Sequence, residues 1–229
     1  MSAPHAATDS NTPGAGADRA QRLRRALPNQ LTTLRLVMAG FFVVALSLYA
    51  FPDGRPWTLP VAIVIFVLAS ATDALDGWLA RRWNVVSTYG RVMDPLADKV
   101  LVLAAFVLLA GPSFTDAETG RIVSGVAPWM VVVILARELL VTSVRAVFES
   151  AGVSFGAAWA GKLKMILQSA AAPLILLLVW TGDSATLDDG WRRWTIDGLV
   201  WATVLATVLS AWPYVAKAMR AGRKRAGER

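Results

Sequence analysis

The sequence predicts an all-α, polytopic membrane protein with about six transmembrane helices and a short amphipathic surface helix near its N-terminus. Three observations carry this. First, 55% of the 229 residues are hydrophobic and 17% are charged, against about 45–50% and about 25% in an ordinary soluble domain; mean hydropathy is +0.50. Second, uncharged apolar runs recur along the chain and reach spanning length, about 17–25 residues, once their polar-ended turns are included. Third, Lys and Arg concentrate in alternate connections, as the positive-inside rule requires of a polytopic protein.

Residues 1–18 are small and polar, with Pro and Gly but no apolar core after a basic start, so they predict a disordered cytoplasmic tail and not a secretory signal. Residues 19–28 (RAQRLRRALP) are basic, with Leu23 and Leu27 on one helical side, the pattern of a surface helix whose arginines face lipid phosphates. The apolar runs follow: Leu36 to Phe51, Trp57 to Thr72, Val100 to Thr115, Ile122 to Ala136 with a helical continuation past Arg145, Met165 to Thr181, and Thr195 to Ala216. The second connection holds Arg81, Arg82 and Arg91, the fourth Lys162 and Lys164, and the segment 219–229 is strongly basic. Both termini are therefore predicted on the cytoplasmic side. Trp57, Trp129, Trp180, Trp191 and Trp194 fall near predicted helix ends, as an interfacial aromatic belt does. With no internal repeat, residues 19–218 read as one membrane domain between two cytoplasmic tails.

The composition also excludes chemistries. There is no cysteine, hence no disulfide, thiolate metal site or cysteine nucleophile, and the single histidine, His5, lies in the N-terminal tail, which argues against a Ser-His-Asp triad. The formal net charge is +7. In a soluble protein this would point to nucleic acid; here the basic residues are scattered over loops and tails of a hydrophobic chain, which fits anionic lipid and predicts no nucleic-acid partner.

The informative stretch is Asp73 to Asp98, DALDGWLARRWNVVSTYGRVMDPLAD. Asp73 and Asp76 (i, i+3) share one helix face, and Asp94 and Asp98 (i, i+4) share another. The short connection makes the two helices antiparallel neighbours, so four carboxylates converge on the cytoplasmic side. Anions near hydrocarbon cost about 2.5–3.5 kcal/mol each even on the lenient insertion scale, and like charges oppose one another's ionisation. Divalent cations relieve both. All-oxygen donors suit Mg²⁺ or Mn²⁺, and two metals can clamp a phosphoryl displacement. Phosphoryl transfer on a diphosphate follows. Gly77 and Ala80 leave room along the helix, Gly90 can turn the loop or admit ligand, and Arg81 can neutralise phosphate or stack on a base.

The spacing D-x2-D-G-x2-A-R-x8-G-x3-D-x3-D is met at Asp73, Asp76, Gly77, Ala80, Arg81, Gly90, Asp94 and Asp98. It resembles the signature of the CDP-alcohol phosphatidyltransferase family. The resemblance implies a six-helix, usually homodimeric enzyme of the bacterial cytoplasmic membrane with a cytosol-facing two-metal site. Asp73 and Asp94 would then bridge both metals, Asp76 would bind one and Asp98 the other, with Asp98 also the general base. Gly77, Arg81 and Ser87 would contact the CDP moiety. Asn29, Thr32 and Arg35 (PNQLTTLR) resemble the N-x2-T-x2-R opening of the bacterial phosphatidylglycerophosphate synthases, where this element approaches the nucleotide. LARELLVTSVR and AGKLKMILQ are similar to the same subgroup, except that Met165 stands where Thr is frequent. The similarity covers residues 28–170.

Arg137 and Arg145 lie on one predicted helix, about 80° apart by the helical period. Charges inside an apolar helix mark function, although Arg137 with Glu138 could also be a structural ion pair. Lys162 and Lys164 open the next span on the same membrane side. Together these cations predict a pocket for a phosphorylated acceptor opposite the carboxylates. The expected substrates are CDP-diacylglycerol and glycerol 3-phosphate, giving phosphatidylglycerophosphate and CMP; inositol phosphate or another alcohol is the alternative acceptor. A divalent-cation or anion transporter is the alternative of another class, disfavoured because no repeat is evident and the carboxylates sit at helix ends.

Overall fold

In the computed structural model of the chain, the described residues are 14–52, 54–55, 57–83, 88–150, 159–182, 187 and 190–227, with side chains left aside at 14–29, 76–81, 83, 88–92, 94–95, 98, 159–160, 162 and 221–227. They form six α-helices: α1 (Gly14–Ser47), α2 (Thr58–Trp83), α3 (Thr88–Leu109), α4 (Pro128–Ser150), α5 (Trp159–Trp180) and α6 (Trp191–Gly227). No strand is formed among the described residues; an isolated bridge joins Thr115 and Ile122. The all-α expectation holds.

Two boundaries differ from the sequence reading. The surface helix expected over 19–28 is not separate but the first part of α1, which begins at Gly14, inside the expected tail. The strong helix formers Ala, Arg, Leu and Gln continue the ladder, and Pro28 removes only one hydrogen bond from it. At the other end α6 carries most of the expected basic tail as helix, to Gly227. α1 and α6 have 34 and 37 residues. At about 1.5 Å per residue each exceeds a hydrocarbon core of about 30 Å, so their basic ends project beyond it.

The expected count of about six spans is matched in helix number but not in apolar length. Among the described residues four helices are long and apolar enough to cross a membrane: α1 over Gln30–Ser47, α2 over Thr58–Leu75, α5 over Leu163–Trp180, and α6 within Trp191–Arg220; α3 has only the shorter apolar stretch Lys99–Leu109. The two helices left out are charged within their length, α3 by Arg91, Asp94, Asp98 and Lys99, and α4 by Arg137, Glu138 and Arg145.

Packing follows a repeated apolar seam. Buried positions on α1 include Thr32, Arg35, Ala39, Phe42 and Leu46, and on α2 Leu59, Ala62, Phe66 and Ala69, with Asp73 next in phase. This three-four alternation is the spacing of knobs-into-holes packing. Phe42 meets Phe66 with ring centroids 5.5 Å apart. Seven residues further toward the α1 N-terminus is Arg35, and seven further toward the α2 C-terminus is Asp73. In an antiparallel pair these two must meet, and they do. The opposite faces, including Val37, Phe41, Val44, Val64 and Leu68, are exposed and apolar, as a lipid-facing surface is.

α1 packs on α2 and α3, α6 packs on α4 and α5, and α2 against α5 joins the two groups. Every seam is apolar at one end of the bundle and polar at the other: Ile134 gives way to Glu138 on α4, Ile175 to Gln168 and Lys164 on α5, and Val200 to Thr207, Ser210 and Tyr214 on α6. The apolar end is closed by the 112–126 connection, where Phe114 is buried against Tyr49 at 5.0 Å and Arg193 donates to the carbonyl of Ile122. Gly125 has φ +69°, and a Cβ there would sit 2.9 Å from Asp197 Oδ1, so only glycine fits. The site is at the polar end.

Candidate active site

The acidic half is built on the facing ends of α2 and α3. Asp73 and Asp98 each lie ten residues from those ends, Trp83 and Thr88, while Asp76 lies seven and Asp94 six residues away. Counted along the helices from those ends, Asp73 corresponds to Asp98 and Asp76 to Asp94. The backbones of Gly77, Ala80, Arg81 and Gly90 belong to the same two helix ends. The side chains of Asp76, Arg81, Asp94 and Asp98, and Ser87 altogether, lie outside the described residues, as do the side chains of Asn29 and Lys162.

Asp73 is held firmly. Arg35 Nη1 is 2.6 Å from its Oδ1, and the Arg35 side chain is 1% exposed whereas that of Asp73 is 37% exposed. The guanidinium fixes the carboxylate's rotamer, and the carboxylate stays open to a ligand. An oriented, accessible acid among carboxylate-only donors fits a hard divalent cation. Arg35, expected at the nucleotide, makes this ion pair with Asp73, and Thr32, one turn away, is buried at 2% exposure.

The basic half is a buried network centred on Glu138. Its Oε1 accepts from Lys164 Nζ and, at 2.9 Å, from Arg137 Nη1. Its Oε2 lies 3.9 Å from Lys99 Nζ, which also donates to Thr142 Oγ1. A carboxylate so buried needs this company: an unpaired charge at such depth would cost several kcal/mol. The four groups nevertheless sum to two positive charges, an excess that favours a dianion. Arg137 Nε donates to Ser210 Oγ at 3.0 Å, and Arg145, two turns further along α4, donates from Nη2 to Tyr214 Oη at 3.1 Å. Gln168 Nε2 donates to Thr207 Oγ1 at 3.2 Å.

The structure brings together Arg137 and Lys164, places Arg145 further out, and shows the Arg137–Glu138 pair as part of an ion-pair network spanning α3, α4 and α5. Sequence reasoning missed Lys99, Thr207, Ser210 and Tyr214 as parts of it. A signal for the last three was present: Thr203, Thr207, Ser210 and Tyr214 repeat at four-three-four spacing in an otherwise apolar helix, and all are buried. Lys99 carries a further consequence. It follows Asp98 directly and reaches α4, so the acidic and basic halves adjoin.

Comparison with known proteins agrees with this arrangement. A profile of the CDP-alcohol phosphatidyltransferase family matches residues 25–212. The chain is 33% identical over 199 residues to the CDP-diacylglycerol–glycerol-3-phosphate 3-phosphatidyltransferase of Bacillus subtilis (strain 168), covering 83% of this chain and 94% of that one. It is 27% identical over 226 residues to the protein of the same name from Cereibacter sphaeroides, covering 84% and 95%. It is 33% identical over 163 residues to that from Yersinia pestis (strain Pestoides F), covering 69% and 78%. A helical bundle with its acids at two facing helix ends, and this breadth of similarity, lead to one conclusion: the chain belongs to the CDP-alcohol phosphatidyltransferase family and is an enzyme of that family.

Proposed function

We propose that the enzyme transfers the phosphatidyl group of CDP-diacylglycerol to glycerol 3-phosphate at the cytoplasmic face of a bacterial membrane, working as a homodimer. The observation that carries this reading is the juxtaposition made by Lys99: a buried cluster with two surplus positive charges adjoins the helix that bears Asp98. A phosphate monoester is drawn to the first, and its alcohol then lies beside the second. The printed names of the relatives support the same acceptor.

Asp73, Asp76, Asp94 and Asp98 would hold two Mg²⁺ or Mn²⁺ ions. When bound, these supply charge neutralisation and electrophilic activation at the substrate diphosphate. Arg35 keeps Asp73 oriented for that task. Gly77 and Ala80 let the CDP moiety approach the α2 backbone, Arg81, Ser87 and Asn29 contact it, and Gly90 leaves the entrance open. Arg137, Lys164 and Lys99 hold the acceptor phosphate, with Arg145 and Lys162 nearer the rim. Asp98 accepts the proton of the primary hydroxyl. The hydroxyl oxygen forms a bond to the phosphorus that bears diacylglycerol, the bond from that phosphorus to the bridging oxygen breaks, and CMP leaves with the bridging oxygen. The exposed apolar faces beside the polar end allow the acyl chains to stay in lipid while the headgroup reacts.

The test is CMP release by the purified chain in detergent with CDP-diacylglycerol and one acceptor at a time. Release with glycerol 3-phosphate that stops with chelator, returns with Mg²⁺ or Mn²⁺, and falls by about 10²–10⁴ in Asp98→Asn, the range for loss of a general base, supports the proposal. Release with inositol phosphate alone would overturn the acceptor. Metal-independent release would overturn the mechanism.

A further inference from the structure

The α4–α6 seam has a geometry that the basic cluster alone does not explain. Arg137 and Arg145 are eight residues apart on α4, so their Cα atoms are separated by about 12 Å along the helix axis. Their hydrogen-bond partners, Ser210 and Tyr214, are four residues apart on α6, a separation of about 6 Å. The two helices run in the same direction, as the tilted contact of Trp129 with Trp201, ring centroids 5.8 Å apart, toward the far end confirms. Each guanidinium is thus tied to a hydroxyl of the same neighbouring helix, Arg137 to Ser210 and Arg145 to Tyr214. Both partners are well anchored. Ser210 is fully buried and Tyr214 is 2% exposed; Ser210 Oγ donates to the Thr207 carbonyl at 2.8 Å, which leaves its lone pairs for Arg137. The Tyr214 ring also lies 5.8 Å from the Arg145 guanidinium carbon, so the tyrosine grips the arginine by both face and hydroxyl.

We propose that Ser210 and Tyr214 of α6 are positioning residues that hold Arg137 in place for the acceptor phosphate and Arg145 at the rim through which the acceptor enters, so that the last helix sets acceptor affinity without touching the reacting atoms. The inference rests on the phosphorylated-acceptor reading above. An arginine left free to sample its rotamers must be ordered again on each binding event. A tethered one is ready beforehand, and the advantage appears as acceptor affinity.

The experiment is steady-state kinetics of the full chain in detergent for Ser210→Ala and Tyr214→Phe, the latter keeping the ring and losing the hydroxyl. Each is expected to raise KM for glycerol 3-phosphate by about three- to tenfold, the loss of one charge-assisted hydrogen bond. KM for CDP-diacylglycerol and kcat should stay near wild type, while the melting temperature falls modestly because a guanidinium loses a hydrogen bond. The concentration of glycerol 3-phosphate giving half-maximal thermal stabilisation should rise by the same factor. An unchanged acceptor KM in active variants would overturn the proposal while leaving the proposed function intact. So would both KM values rising together, since that marks a packing role. A wild-type enzyme that turns over only an unphosphorylated alcohol would overturn both readings.

Discussion

Arg35 and Asp73 show how much one buried charge constrains its surroundings. A guanidinium with 1% exposure needs anionic company, and Asp73 supplies it. Two consequences follow at this scale. The carboxylate is oriented before any ligand arrives, and the ion pair contributes to holding α1 on α2. Asp73→Asn should therefore do more than impair metal binding. It should lower the melting temperature even in chelator, where metal plays no part, by about 1–3 kcal/mol of stability, because a charge-assisted hydrogen bond to a buried cation is lost. Thermal melts of both proteins in chelator check this; equal melting temperatures would mean that the pair is energetically idle. The acid itself was legible in the sequence, because its spacing to Asp76, Asp94 and Asp98 is fixed within one short stretch. Its pairing was not: the sequence places Arg35 with Asn29 and Thr32 as an expected nucleotide contact and carries no sign of Asp73 as its partner. Only the fold shows that it reaches an acid 38 positions along the chain.

That meeting is decided by helix packing. The seam residues of α1 and α2 alternate by three and four, and the Phe42–Phe66 contact sets which turn of one helix faces which turn of the other. A phenyl ring lost there loosens the register two turns away. Phe66→Ala should cost on the order of 1–3 kcal/mol, less than the about 3–5 kcal/mol of a soluble core, because lipid replaces water as the alternative surrounding. It should also reduce activity, since Arg35 and Asp73 depend on that register. Thermal melting and CMP release, measured together, test the coupling; lost stability with full activity would show that the ion pair keeps its own register. α6 makes the complementary point. By apolar length it is an ordinary span, yet its polar stripe at Thr203, Thr207, Ser210 and Tyr214 is buried. Hydroxyls in a membrane helix need partners. Thr203 and Thr207 bond back to the carbonyls of Leu199 and Thr203, and the lower pair serves the arginines of α4.

Across the whole molecule, the buried charge network of Lys99, Arg137, Glu138 and Lys164, with Arg145 beyond it, gathers at one end, while Trp57, Trp129, Trp180, Trp191 and Trp194, all 45% exposed or more, lie near helix ends at the other. Basic helix ends beside that network predict a defined direction in a bilayer. Since the sequence contains no cysteine, single introduced cysteines report that direction cleanly. Glu118→Cys, in the exposed connection at the tryptophan-rich end, should react with a membrane-impermeant maleimide added to intact spheroplasts. Ser2→Cys should react only after lysis. The reverse pattern would invert the topology and place the site on the wrong side for CDP-diacylglycerol made in the cytosol-facing leaflet.

What the sequence determined by itself is what local spacing encodes: an all-α membrane chain, from runs of apolar residues, and the family signature, from four aspartates within 26 consecutive positions, Asp73 to Asp98. What the tertiary structure decided is which charged residues meet. Glu138 is shared by Arg137, Lys164 and Lys99, three cations on three helices, and no periodicity within one helix specifies a contact among three. The same holds for the surface helix that merges into α1 and for the hydroxyls of α6. Their roles come from the relative height and rotation of packed helices, and those are set by seams whose side chains lie far apart in the chain.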